Sequence, residues 1–78
     1  MTNGDMARRL NLISSVRTPV QGVRNELVHV GIDTVTVRSE RTGRDRDIPY
    51  DQIRNAANET QNGVVVRTLA QVLGLYSP

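Results

Sequence analysis

Near the start of the chain, Met6, Leu10, Ile13 and Val16 recur at three- and four-residue intervals. That spacing predicts one amphipathic helix over Met6–Val16, with Arg8 and Arg9 off its apolar face. Asp5 is placed to cap it, and residues 1–5 read as a frayed, flexible terminus. Ser14-Ser15 and Thr18-Pro19 end it, because the residue before proline leaves the α region. The pattern then changes period. Val23–Val30 reads as a strand whose stretch Leu27-Val28-His29-Val30 breaks alternation, as a bulge would. Gly31-Ile32-Asp33 is a turn. Thr34–Glu40 alternates strictly, with Val35 and Val37 inward and Thr34, Thr36 and Arg38 outward.

Thr42-Gly43 predicts a two-residue hairpin turn into a third strand, Arg44–Ile48. Pairing about that turn sets Arg41 opposite Arg44, Arg38 opposite Asp47 and Val37 opposite Ile48. Pro49 suits the first position of a helix, whose stripe is Tyr50, Ile53 and Ala57 and which runs to Glu59. Asn62-Gly63 stops it. Val64–Val66 is a short strand or a helix lead-in. Thr68 N-caps a last helix, Leu69–Leu73, with Gly74 just beyond it. The fold class is α+β: an N-terminal helix, a three-stranded antiparallel meander and two C-terminal helices. One core is expected from Leu27, Val35, Val37, Ile48, Tyr50, Ile53, Leu69 and Leu73.

The chain has 78 residues and no cysteine. Surface scaling buries about 62% of the unfolded surface at this mass, which allows a single domain over 6–78. No disulfide or Cys-type zinc site can staple it. No apolar run exceeds Val64-Val65-Val66, so no transmembrane span is expected. The N-terminus lacks the basic and apolar regions of a signal peptide, which points to the cytoplasm.

All ten basic residues are arginine, against eight acids. A GC-rich genome writes Arg for Lys. Arg forks also suit phosphates and base edges. A net charge of +2 is a weak nucleic-acid footprint, so any basic surface must be local.

Catalytic constellations are missing. His29 is the only histidine and sits in a Val-rich strand, as a structural residue does. Asp45, Asp47 and Asp51 alternate with Arg44, Arg46 and Arg54 and read as neutralised. No glycine spacing matches a phosphate loop, and no serine has a base beside it. The chain reads as no enzyme, without metal or cofactor.

The informative stretch is Arg38-Ser39-Glu40-Arg41-Thr42-Gly43-Arg44-Asp45-Arg46-Asp47. A hairpin longer than its core would project, with Ser39, Arg41, Arg44 and Arg46 continuing the inner face beyond the apolar residues. An Arg-tipped ribbon is one way to straddle a nucleic-acid groove. The bland alternative is a solvated hairpin whose acids cancel its Arg. The candidate nucleic-acid-binding residues are Arg38, Ser39, Arg41, Thr42, Arg44 and Arg46, with Arg8, Arg9 and Arg67 as further phosphate contacts. No aromatic residues interleave them, which argues against a stacking platform. Thr68–Pro78 resembles the first half of a helix-turn-helix, whose second helix would begin where the sequence stops; the plainer reading is core packing.

The run Val35-Thr36-Val37-Arg38-Ser39-Glu40-Arg41-Thr42-Gly43-Arg44, continuing through Arg46, Ile48-Pro49-Tyr50 and Ile53, resembles a small module of bacterial restriction-modification and helicase-type proteins. The likeness covers Leu27–Pro78 and takes in Val66-Arg67-Thr68-Leu69-Ala70. It implies DNA handling beside a catalytic domain, which this chain lacks. The expected partner is nucleic acid, duplex DNA first. The alternative is a protein-interaction, adaptor or oligomerisation module of a phage or defence system, pairing through an open strand edge or within a larger parent chain.

Overall fold

The computed structural model describes residues 1–19 and 21–77. Val20 and Pro78, the last residue of the helix-turn-helix-like stretch, lie outside them. The described residues form α1 (Asn3–Leu10), β1 (Ser15–Arg17), β2 (Arg24–Val30), β3 (Thr34–Ser39), β4 (Asp45–Pro49), α2 (Tyr50–Arg54), a 3₁₀ turn (Ala56–Asn58) and α3 (Gly63–Val72). The strands make one antiparallel sheet in chain order. The α+β class is as expected; the count of strands is four, not three.

α1 starts earlier than its apolar spacing suggests. Thr2 is its N-cap, and Asp5 sits three residues in. The Asp5 amide donates to the Thr2 hydroxyl at 3.1 Å, and the Thr2 amide to the Asp5 carboxylate at 3.4 Å. That reciprocal box satisfies two orphan amides, so Asn3–Asp5 belong to the helix. The predicted second half of this helix is absent. After Leu10 the bonds tighten to i−3, Leu12 to Arg9 and Ile13 to Leu10. Ser15–Arg17 then pairs with β2. Val16 is buried from the sheet, where a β-branched side chain fits better than on a helix.

β2 carries the expected bulge, a register shift between Leu27 and His29. The β3–β4 register differs from expectation by two residues. Val35 faces Ile48, Val37 faces Arg46 and Arg38 faces Asp45. A two-residue turn at Thr42-Gly43, of either favoured type, would need positive φ at Thr42. No non-glycine residue among those described has positive φ, while Gly43 has φ 70°. A β-branched threonine resists that region. The chain makes a longer turn instead, with the Gly43 amide on the Ser39 carbonyl at 2.8 Å and the Ser39 amide on the Arg44 carbonyl at 3.2 Å. A shift of two leaves every side chain on its face, so Val37 and Ile48 still share the core.

The core contains seven of the eight expected residues, all at 2% exposure or less; Leu27 packs against it half-buried. Met6, Leu10, Val16, Ala56, Val65, Val66 and Ala70 complete it. Ala57 is exposed, in contrast to expectation. The backbone leaves the helix at Asn55 (φ −101°, ψ 31°) and re-enters as a 3₁₀ turn, which moves Ala56 rather than Ala57 inward.

α3 begins at Gly63, so Thr68 lies inside it and is not a cap. Its hydroxyl donates to the Val64 carbonyl at 2.8 Å, the back-bond by which a mid-helix threonine satisfies itself. The helix ends as predicted. Gly74 has φ 76°, its amide bonds to Gln71 at 3.0 Å and that of Leu75 to Ala70 at 2.8 Å. This is a Schellman closure, which needs the left-handed conformation that glycine supplies.

Candidate functional site

The inner face of the sheet changes character along its length. At one end Val35 and Ile48 lie beneath the helices. At the other, Asn25 of β2 is flanked by Val16 and Ser39. Thr18, Asn25 and Ser39 are three of the four buried polar residues among those described. All three line one cleft of about 510 Å³. Its walls are the β3–β4 hairpin on one side and residues 59–67 on the other. A polar floor at the edge of an apolar core is costly unless something satisfies it.

The floor is partly satisfied from within. The Thr18 hydroxyl accepts from the Val23 amide at 3.1 Å. The Asn25 carboxamide donates to the Val23 carbonyl at 3.3 Å. Ser39 accepts from the Thr42 amide at 3.4 Å. Among the described residues the Asn25 Oδ1 has no donor, although Asn25 is only 2% exposed.

Three arginines line the cleft, Arg41 and Arg46 from the hairpin and Arg67 from α3, against one acid, Glu59. None of the three has a carboxylate within 4.0 Å among the described residues. Arg46 donates to Asn62 Oδ1 at 3.0 Å, and Arg67 to the Glu59 carbonyl at 2.9 Å. The Glu59 carboxylate accepts from the Gln61 amide at 3.1 Å. Arg67 also folds back over Gly63: a Cβ there would lie 2.7 Å from its Nη1.

The other candidate arginines are placed differently. Arg38 is on the outer, solvated face and grips both Asp45 oxygens, at 2.7 and 3.2 Å. The Arg38 hydrogen bond is the main cause holding the Asp45 carboxyl below the usual carboxylate range. Arg8 is paired with Asp5, and Arg9 reaches the Leu73 carbonyl at 3.4 Å. Thr42 and Arg44 lie at the hairpin tip, where with Arg41 and Arg46 they border a second, smaller hollow of about 410 Å³. Ser39 is buried, so the inner face of the hairpin does not simply project into solvent. It roofs the cleft.

The sequence reading missed Thr18, Asn25 and Asn62. Asn25 had a visible signal, a polar residue in the inward phase of Val23 and Leu27. Asn62-Gly63 suits the end of a helix by its glycine; in the fold it instead starts α3.

Among the described residues no group of three or more His, Cys, Asp or Glu is placed to hold a metal ion, and no helix is long and apolar enough to cross a membrane. Comparisons with family models, with curated proteins and with solved structures found no match.

Proposed function

We propose that this chain is a non-catalytic nucleic-acid-binding module, with duplex DNA its first expected partner, and that the cleft between the hairpin and α3 is its contact surface. The observation that carries the reading is the convergence of Arg41, Arg46 and Arg67 on one polar cleft without carboxylate partners. Outside the cleft Arg8, Arg38 and Arg54 are each in an ion pair, while Arg9, Arg17 and Arg24 are spread over other parts of the surface and bond to carbonyl or hydroxyl oxygens; what sets the cleft apart is that three guanidinium groups meet there. With Glu59 the only acid in the cleft, its local balance of +2 equals that of the whole chain. Localised charge of this kind is what a weakly basic protein needs to hold a phosphate backbone.

The arginines act as positioning charges, since phosphate contacts fix orientation and carry no sequence information. Arg44 and Thr42 extend the surface toward the tip. The protein-interaction alternative draws less support from the sheet edges. β1 is three residues long, and β4 carries Asp45, Asp47 and Pro49; short, charged and proline-bearing edges discourage strand addition. Titration of the chain with duplex DNA at two salt concentrations tests the reading. Three neutralised phosphates give a log–log slope of about −2.7, with affinity in the ~10⁻⁴–10⁻⁶ M non-specific range. Binding that ignores salt, or no binding at low salt, refutes it.

A further inference from the structure

α3 has the sequence opportunity to cap itself and does not take it. Asparagine is among the best N-cap residues. Asn62 occupies that position, yet its side chain makes no cap hydrogen bond and no acid lies in the first turn. Its Oδ1 is turned to Arg46 instead, at 3.0 Å. The ten-residue helix therefore opens with uncapped amides and the positive end of its dipole at the cleft, where Gly63, Val64 and Val65 form part of the lining. Arg46 and Arg67 stand beside those amides, and glycine at position 63 leaves room for the Arg67 guanidinium.

A second observation points to a ligand independently. Among the described residues nothing donates to the Oδ1 of Asn25, a residue on the cleft floor that is 2% exposed. A buried acceptor left this way costs free energy that a hydroxyl in the cleft would recover.

We infer that the N-terminus of α3, flanked by Arg46 and Arg67, is a seat for one phosphate group, with Asn25 accepting a hydrogen bond from a hydroxyl next to it. Backbone amides at a helix start and flanking guanidinium forks are the ordinary chemistry of phosphate recognition. A protonated oxygen of inorganic phosphate or of a strand-terminal phosphate monoester supplies the donor. The inference rests on the nucleic-acid reading for its ligand, a strand phosphate, but the seat itself can be probed with the ion alone.

The experiment follows the amide resonances of Gly63, Val64 and Val65 while inorganic phosphate replaces chloride at constant ionic strength. Saturable shifts concentrated on those three amides are expected. Arg46→Ala and Arg67→Ala each weaken the saturation about fivefold or more, and replacing Arg54, which is ion-paired with Asp51, by Ala leaves it unchanged. Gly63→Ala displaces the Arg67 guanidinium and weakens it without lowering Tm. Shifts that do not saturate, or that scatter over the arginines at large, overturn the seat. A second arm adds oligonucleotides with and without a 5′-phosphate, competed by inorganic phosphate. Preference for the phosphorylated end assigns the seat to a strand terminus, and equal binding with competition overturns the Asn25 contact, because an internal DNA phosphodiester has no proton to donate. Oligonucleotide binding that phosphate neither mimics nor displaces refutes the seat and leaves the nucleic-acid reading standing. Phosphate binding without any oligonucleotide binding does the reverse.

Discussion

Arg46 of β4 holds the side-chain oxygen of Asn62, the first residue of the α3 cap, at 3.0 Å. That bond joins the hairpin to the helix across the cleft and diverts the one group that could have closed the helix end. An acid at position 62 would act in the opposite sense. Asn62→Asp places a carboxylate where both Arg46 and the α3 dipole attract it. The expected result is a stability no lower than the parent's and a loss of about tenfold in DNA affinity, read by denaturant unfolding and by anisotropy.

Salt slopes separate the cleft from the rest of the basic surface. Replacing Arg41 and Arg46 by Ala should flatten the log–log slope by about 1.8, two contacts' worth. Replacing Arg8 and Arg38, both engaged in ion pairs, should change it by well under one contact. Arg41→Ala with Arg44→Ala falls between the two if the tip contributes. Equal slopes for all three variants would argue for diffuse attraction without a cleft.

Ile53 is fully buried in the core that α2 shares with the sheet and α3. Ile53→Ala removes most of that side chain and leaves a cavity, at a cost of about 2–5 kcal/mol. For a domain of this size that is a large share of its stability. Urea unfolding measures it; a cost below about 1 kcal/mol would mean that α2 is not docked.

Tyr50 ties the β2–β3 turn to the start of α2. Its hydroxyl donates to the Gly31 carbonyl at 2.6 Å and its amide to the Asp33 carbonyl at 3.0 Å. Tyr50→Phe should cost about 0.5–1.5 kcal/mol. Burial, and then the Asp33 charge, push the phenol above its ordinary value of 10.0. Stability from this group is complete below the unfolded pKa and is lost as pH rises through the folded one. Alkaline unfolding of the Phe variant should lack that component.

Acid acts through Asp5 and Asp45. The Thr2 hydrogen bonds hold the Asp5 carboxyl down, and the Arg38 hydrogen bond holds down that of Asp45. Depressed carboxylates add stability above their unfolded pKa that disappears as pH falls through the folded value. Both are exposed, so the effect is small, and the window lies below the ordinary 3.8. Asp45→Asn should make the hairpin amides exchange faster at neutral pH and reduce their acid sensitivity.

Local periodicity alone determined much of this protein. Strict alternation in Thr34–Glu40 implied the strand and its inward pair, the irregular Leu27–Val30 implied a bulge, and Gly74 implied the end of α3. These features depend on neighbours within a few residues, where φ/ψ preferences and burial period are decisive. The arginine-rich hairpin was legible as a candidate surface for the same reason. Tertiary structure decided the rest. Whether Ser15–Arg17 continues a helix or becomes an edge strand depends on β2 being there to pair with it. Whether Arg38 meets Asp45 or Asp47 depends on a turn that threonine cannot enter with positive φ. Which arginines remain unpaired depends on folding: Arg38 and Arg46 are eight residues apart on one hairpin, yet one faces an acid across the strands and the other faces a helix end sixteen residues away. Charge is written in the sequence, but its neutralisation requires partners within about 4 Å, and only the packed chain brings those together.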